Sequence, residues 1–216
     1  MFKTSHLLLI FIPAILIAVL AFWIRAAQYR PLYPKEEPAA ATTVPTAAFI
    51  PVFSDDPILG EKRAGITIIA FEDLACERCR EEIKIFHELI RSYPGRVKVI
   101  VKALPVTRFP VSSVQAHAYA YCAREQNGFS VFTEKAIAHE GPFDPVALQT
   151  LARAVDLDEA RLADCLQSGQ PEAYQKKVED LAASLGITAL PAVFVDQKLI
   201  QEPATIDGWK ELLGLE

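Results

Sequence analysis

The sequence lacks a lysine/arginine block, shows no internal repeat and contains few cysteines. Its formal net charge is −5, so the charge pattern does not indicate nucleic acid as a partner. Four cysteines in 216 residues are too few for a small domain built on disulfides. The length of 216 residues allows one domain plus an appendage. Because 51% of the residues are hydrophobic, that domain can form its own core.

A long apolar run lies near the N-terminus, at residues 7–24, after a short tail, 1–6, that contains Lys3. Its 18 residues are at the short end of what spans a bilayer as a helix. Two interpretations are open: a cleaved signal peptide with Val19-Leu20-Ala21 as the cleavage pattern, and an uncleaved transmembrane signal anchor. The apolar run continues past Ala21, which favours the anchor.

A linker is predicted next, at residues 25–59, since this stretch is rich in proline, alanine and threonine and has no sustained periodicity. Its apolar exceptions predict a lead-in segment that packs on the domain; they are Phe49, Ile50, Val52 and Phe53. The domain itself is expected at residues 60–216.

A Cys-x-x-Cys pair, Cys76 and Cys79, follows the apolar stretch 66–71 and opens a helical pattern. The stretch is β-branched and continuously apolar, which predicts a central strand buried on both faces. The first amides of a helix have no intrahelical acceptor and the helix dipole favours negative charge there, so a reactive thiolate is stabilised. The second cysteine, one turn later, can resolve a mixed disulfide formed by the first.

The order of predicted elements then defines the fold class. Residues 97–104 predict a second strand, which makes a βαβ unit with parallel strands. A helical insertion follows at about 112–186. A hairpin, 192–195 with 198–200, and a helix at 205–213 close the chain.

This order resembles the thioredoxin fold with an inserted all-helical subdomain, an α/β fold, here preceded by a transmembrane helix. More narrowly, the chain is similar to the DsbA family of exported thiol-disulfide oxidoreductases in its membrane-tethered form. The motifs FEDLACERC, at 71–79, and GITALPAVFV, at 186–195, carry the resemblance. The family implies that Pro191 is a cis-proline beside the two sulfurs and that Leu190 shapes a peptide-binding groove.

Other residues are expected to tune the redox chemistry. DsbA-type oxidases often carry Pro-His between the cysteines, whereas this chain has Glu77-Arg78, whose opposite charges act in opposite directions on a Cys76 thiolate. Glu72 and Asp73 precede the pair. One of them is a candidate proton acceptor, and the alternative is a carboxylate that simply starts the helix.

The remaining cysteines, Cys122 and Cys165, are either two buried free thiols or a structural disulfide, which an oxidising compartment would favour. A structural zinc site needs four ligands, and the sequence offers neither a second close cysteine pair nor a histidine pair at finger spacing. We therefore expect a redox pair, no metal and no bound cofactor. His87, His117 and His139 are expected at a helix surface or in the core, without a catalytic role.

The sequence thus predicts an exported, membrane-tethered oxidoreductase that exchanges disulfides with client proteins, most simply as an oxidase, with Cys76 as nucleophile and Cys79 as its partner. The family resemblance implies that a membrane disulfide oxidase reoxidises it, and a monomer is expected. Alternatives are a reductase or isomerase of the same fold, and a thioredoxin-fold binding or assembly protein. A positive-inside count of Arg25, Arg30 and Lys35 would place the domain in the cytoplasm. Both targeting interpretations export it instead, so the periplasmic side of the cytoplasmic membrane is expected.

Overall fold

The computed structural model describes residues 16–23, 25 and 49–215, and the chain divides into two units after Ala41. In the N-terminal unit, residues 16–23 and 25 are helical. Among the described residues, no helix combines the length and the apolarity that crossing a bilayer requires. Most of the predicted transmembrane segment, 7–24, lies outside the described residues.

The C-terminal unit is built on a five-stranded mixed sheet. Its strands are β1 (Ile58–Gly60), β2 (Ile66–Glu72), β3 (Val97–Ala103), β4 (Ala192–Val195) and β5 (Lys198–Ile200). They lie in the order β1-β3-β2-β4-β5, so β2 is the central strand. Strands β2 and β3 are parallel, and the pairs β1–β3, β2–β4 and β4–β5 are antiparallel. The predicted βαβ unit and the C-terminal hairpin are therefore confirmed.

Seven helices complete the described part of this unit. They are α1 (Glu77–Ser92), α2 (Val114–Glu125), α3 (Phe129–Ala138), α4 (Pro145–Ala154), α5 (Glu159–Gln167), α6 (Gln170–Ser184) and α7 (Ile206–Leu213). Helices α2 to α6 form the predicted helical insertion between β3 and β4. An α/β fold with a helical insertion is thus confirmed.

Local sequence explains several of these boundaries. The Asp144 carboxylate accepts a hydrogen bond from the Ala147 amide at 2.8 Å, and Pro145 occupies the first turn of α4. The hairpin turn between β4 and β5 uses Asp196 and Gln197 with positive φ values of 50° and 66°. Positive φ at both central residues suits a two-residue turn whose twist matches the strands.

The end of the predicted linker packs on the sheet. Ile50 is fully buried, and β1 pairs with β3, so the folded part begins before residue 60. Lys102 on β3 is also buried; its ammonium donates to the Pro51 carbonyl at 2.8 Å and to Asp56 at 2.6 Å. A buried charge needs such a partner, and this one fastens the lead-in segment to the sheet.

The insertion is cross-linked. Cys122 on α2 and Cys165 on α5 form a disulfide with a Cα–Cα distance of 5.8 Å. This bond joins cysteines 43 residues apart in sequence on two helices and leaves Cys76 and Cys79 as the free cysteines.

Candidate redox site

The Cys-x-x-Cys pair lies at the N-terminus of α1, directly after the central strand. Cys76 is the N-cap residue of α1, and its sulfur accepts a hydrogen bond from the Cys79 amide at 3.4 Å. This places the sulfur at the positive end of the helix dipole. Cys76 is partly exposed while Cys79 is buried. The two thiols therefore differ in access: a large substrate can reach Cys76 but not Cys79.

Burial raises the pKa of the Cys79 thiol far above its ordinary value, and the nearby Glu72 carboxyl and Cys76 act in the same direction. A buried thiol without a cationic neighbour resists losing its proton. Cys79 therefore needs a nearby proton acceptor when it acts as a nucleophile.

Glu72, the last residue of β2, is the buried carboxyl beside this thiol. Neither of its oxygens has a hydrogen-bond partner in the part of the chain that the structure describes. Burial raises the pKa of Glu72 well above its usual value. The nearby Cys79 thiol offsets part of this rise, although it does not form a hydrogen bond of normal geometry with either carboxyl oxygen. An unpartnered carboxyl next to a buried thiol can accept the thiol proton.

Asp73, the neighbouring carboxylate, is fully engaged instead. One oxygen accepts from the amides of Val106 and Thr107 at 2.8 and 2.7 Å and from the Ser113 hydroxyl at 2.9 Å. The other accepts from the Ala75 amide at 3.0 Å and lies 3.2 Å from the His117 ring nitrogen.

These contacts keep Asp73 charged. Burial alone would raise its pKa, but His117 and the amides of Ala75 and Thr107 hold it well below its usual range. Of the two carboxyls considered from the sequence, Glu72 is thus the one free to exchange a proton, and Asp73 holds the site together. In the sequence, His117 is a single histidine among the apolar residues of α2. That pattern does not predict that its ring lies beside the Asp73 carboxylate.

The residues between the cysteines point away from the buried thiol. Glu77 is exposed, and the Arg78 side chain is 70% exposed. Arg78 lies 3.7 Å from Glu202, which follows β5. Because the Glu77 and Arg78 side chains are solvated, their influence on the Cys76 sulfur is screened. Their role in redox tuning stays a prediction.

Pro191 begins the other side of the site. The Leu190–Pro191 peptide bond is cis, and Pro191 is buried at the start of β4. A cleft of about 120 Å³ opens beside it, lined by Ile187, Ala189, Pro191, Ala192, Leu199, Ile200 and Glu202. Leu190 itself packs, partly buried, against the core. Substrate contact by Leu190 and Pro191 stays a prediction.

A charged side chain outside the predicted set, Glu82, lies on the same face of α1 as Cys79, three residues on. It is buried, and one of its oxygens has no partner among the described residues. Burial raises the pKa of Glu82 to about 7; Glu202 adds to this shift, while the Trp209 indole and Arg78 oppose it. The sequence contained one indication of this buried carboxyl: Glu82 is an acidic residue on a helix face that is otherwise apolar, between Cys79 and Ile83.

This burial predicts a pH-dependent stability. Unfolded Glu82 loses its proton near pH 4.5, but the folded protein keeps it until about pH 7, so the free energy of unfolding falls as pH rises between these values. Glu82→Gln cannot ionise and should remove roughly 3 kcal/mol of that fall. Urea denaturation at pH 4.5 and pH 8 measures it. The exposed Glu88→Gln is the matched control, and equal pH profiles for both variants would contradict the assignment.

The N-terminal end of α1 is fastened to the insertion by Arg80. Its guanidinium donates to the Ile137 carbonyl at 3.2 and 2.7 Å and also to the His139 carbonyl. A groove of about 710 Å³ runs between α1 and α3, beginning at Ala75 and Glu77. His87, on the buried side of α1, is satisfied by the Thr133 hydroxyl at 3.1 Å. These hydrogen bonds of His87 and His139 do not involve Cys76 or Cys79.

Among the described residues, no three His, Cys, Asp or Glu side chains are arranged to hold a metal ion. The chemistry that the site can perform is thiol–disulfide exchange: an accessible sulfur at a helix N-terminus, a buried second sulfur, and a carboxyl able to carry a proton.

Solved structures with the same fold include redox proteins and a periplasmic thioredoxin-like protein. A thioredoxin-like oxidoreductase from Silicibacter pomeroyi is 21% identical with a TM-score of 0.66, covering 75% of this chain and 92% of that one. The thiol-disulfide exchange protein α-DsbA2 from Wolbachia pipientis is 18% identical with a TM-score of 0.65, covering 74% and 86%. A periplasmic thioredoxin-like protein from Salmonella enterica serovar Typhimurium is 20% identical with a TM-score of 0.64, covering 74% and 88%.

Curated relatives match over the same domain but are much longer. The Na(+)/H(+) antiporter NhaA 3 of Salinispora tropica is 25% identical over 159 residues, which is 73% of this chain and 24% of the antiporter. NhaA 1 of Salinispora arenicola is 26% identical over 149 residues, 68% of this chain and 22% of that protein. The chain therefore spans about a quarter of the length of these relatives.

The family model described as thioredoxin matches residues 54–214, which include both cysteines, the insertion and Pro191. This match covers most of the chain. The chain therefore belongs to the thioredoxin family.

Proposed function

We propose that this protein is an exported, membrane-tethered oxidase that introduces disulfides into client proteins through Cys76 and Cys79. The observation that carries the proposal is the unequal placement of the two sulfurs, Cys76 partly exposed at the helix N-terminus and Cys79 buried beside Glu72. The tether rests on the apolar run 7–24 in the sequence. Export is supported by that run and by a periplasmic structural neighbour.

The reaction begins with the Cys76–Cys79 disulfide. A client thiolate attacks the Cys76 sulfur, the bond between Cys76 and Cys79 breaks, and Cys79 leaves and takes up a proton. Glu72 is the group placed to supply that proton. A second client thiolate then attacks the client sulfur of the mixed disulfide and releases Cys76. The client loses two electrons and the enzyme gains them as a dithiol.

The cycle needs an oxidant that returns the dithiol to the disulfide, and we propose a membrane disulfide oxidase for this step. The client chain around the reacting cysteine would bind in the groove beside Pro191, which Leu190 would help to shape. The oxidase direction follows from the proposed compartment, because exported proteins form and keep disulfides. A reductase or isomerase would use the same atoms in reverse.

The direction is tested by the redox state and the potential of the pair. We expect acid-quenched alkylation in the native host to find Cys76 and Cys79 mainly as the disulfide, and glutathione titration to give a potential above about −200 mV. A Cys122→Ser/Cys165→Ser variant serves as the control, so that alkylation reports on the active pair alone. A mainly dithiol pair would indicate a reductase, and a pair inert to glutathione would indicate a binding protein.

A further inference from the structure

Glu72 is too deeply buried to exchange protons directly with water. It is 1% exposed, yet in the proposed reaction it exchanges a proton with Cys79, so that proton must be replaced by another route. On one side Glu72 borders a small cavity whose walls are mainly apolar. The other two polar side chains in those walls, His117 and Thr133, are already hydrogen-bonded. The route to solvent is therefore expected on a different side of Glu72.

Glu82 supplies a proton-exchanging group on the helix side. It follows Cys79 by three positions on α1, so both side chains project from the same buried face of the helix. Glu82 is 6% exposed, and one of its oxygens has no hydrogen-bond partner in the described part of the chain. Burying such a carboxyl costs free energy, so its presence beside the thiol pair calls for an explanation.

Glu82 lies between Glu72 and a third carboxyl, Glu202. Burial is the main cause of the raised pKa of Glu72, and Glu82 and Glu202 both add to it, so the carboxyls are close enough to interact. Glu202 likewise adds to the raised pKa of Glu82. The Glu202 side chain is 13% exposed and lines the cleft beside Pro191. The three carboxyls therefore lead from the buried thiol to a cleft that is open to solvent.

The other charged or polar groups around Glu82 do not offer it an alternative acceptor. After burial and Glu202, the Trp209 indole and Arg78 shift the pKa of Glu82, and both lower it. Neither the indole nor the guanidinium can take up a further proton. The other elements packed against α1 carry ion pairs that do not contribute to this pKa: Asp207–Lys210 on α7, Glu134 of α3 with Arg91, and Lys102 of β3 with Asp56.

We propose that Glu82 carries protons between Glu72 and the solvent-facing Glu202 while Cys76 and Cys79 exchange their disulfide. The proposal rests on the proposed thiol-exchange function. When Cys79 leaves the disulfide, it takes a proton from Glu72. Glu82 then gives its own proton to the Glu72 carboxylate and recovers one from solvent through Glu202. Glu82 acts through Glu72 and does not touch the reacting sulfurs.

The reverse step, oxidation of the dithiol, needs the same path in the opposite direction. With oxidised glutathione, the Cys76 thiolate forms a mixed disulfide and one glutathione thiolate leaves. Cys79 then attacks the Cys76 sulfur, the bond to glutathione breaks, and the second glutathione thiolate leaves with the electron pair. The Cys79 proton goes to the Glu72 carboxylate. Glu72 can be ionised for this step only after it has passed its own proton to ionised Glu82.

The test isolates the attack by Cys79. The full-length dithiol protein, in detergent, is mixed with excess oxidised glutathione, so that resolution of the mixed disulfide sets the rate. Acid quenching and mass spectrometry follow that rate from about pH 5.5 to about pH 8.5. The wild-type rate should rise around pH 7, where Glu82 loses its proton and can accept another. Glu82→Gln should lose this rise and resolve at least about tenfold more slowly at pH 8.

A purely electrostatic role for Glu82 predicts the opposite sign. Removing a negative charge near Cys79 favours its thiolate, so Glu82→Gln would then resolve faster. That result, or a rise around pH 7 that persists in Glu82→Gln, would overturn the proposal. Glu82→Asp keeps a carboxyl and should recover most of the rate, and its failure to do so would assign the loss to packing instead.

The matched control is Glu88→Gln, which removes an exposed carboxyl further along α1 and should follow the wild type at every pH. Alkylation of Cys76 by iodoacetamide should differ by less than about twofold between Glu82→Gln and the wild type, because the proton path serves Cys79. An equal slowing of that alkylation would contradict the proposal. If the wild type forms no disulfide with glutathione, the thiol-exchange function itself fails.

Discussion

Cys76→Ser is expected to abolish thiol–disulfide exchange, reducing it to the uncatalysed background. Cys76 is the accessible member of the pair, and Cys79 is buried with a strongly raised pKa, so it cannot replace Cys76 as the group that meets a client. A serine hydroxyl cannot form a disulfide. The measurement is the rate at which the oxidised protein forms a disulfide in a reduced dithiol peptide.

Two companion variants separate the roles of the sulfurs. Cys79→Ser keeps the attacking thiol but lacks the resolving one, so it should accumulate mixed disulfides with clients that non-reducing gels detect. The Cys122→Ser/Cys165→Ser variant, which removes the disulfide of the insertion, should still exchange. Exchange that survives in Cys76→Ser would refute the assignment.

Asp73→Ala is expected to lower the free energy of unfolding by about 3–5 kcal/mol, the cost of leaving buried charged or polar partners without their counterpart. The substitution removes the acceptor for the amides of Val106 and Thr107 and for the Ser113 hydroxyl, and it deprives His117 of its carboxylate. Denaturant unfolding measures the loss. Asp144→Ala is the matched control, since that side chain caps α4 with one hydrogen bond and should cost about 1 kcal/mol.

The contribution of Asp73 also depends on pH. Its pKa is held below the ordinary 3.8, so its stabilisation is present above that pH and is lost as pH falls toward the folded value. The stability gap between the wild type and Asp73→Asn should therefore narrow as pH falls from 7 toward 3. Asp73 is not a central support if Asp73→Ala lowers the free energy of unfolding no more than Asp144→Ala does. The same holds if the stability gap between the wild type and Asp73→Asn does not depend on pH.

Much of the fold was predictable from local pattern. The βαβ unit, the hairpin and the helices of the insertion follow from apolar runs, caps and turn residues that act over a few positions. Strand β1 was not predicted, because its three residues lie in a proline-rich stretch and become a strand only by pairing with β3. Because β1 pairs with β3 and Ile50 is buried, the folded unit starts before the predicted boundary at residue 60.

By itself, the sequence determined the position of the thiol pair at a strand-to-helix junction and the distant Pro191 motif, since both depend on short segments whose chemistry is local. Only the tertiary structure separated Glu72 from Asp73. Both residues carry a carboxyl group, but the Asp73 carboxylate has five polar neighbours, whereas the Glu72 carboxyl is buried with no hydrogen-bond partner among the described residues. It also brought Glu82 close enough to Glu72 for the two carboxyls to interact electrostatically. Such assignments depend on which groups meet across the fold, and sequence spacing does not encode those distances.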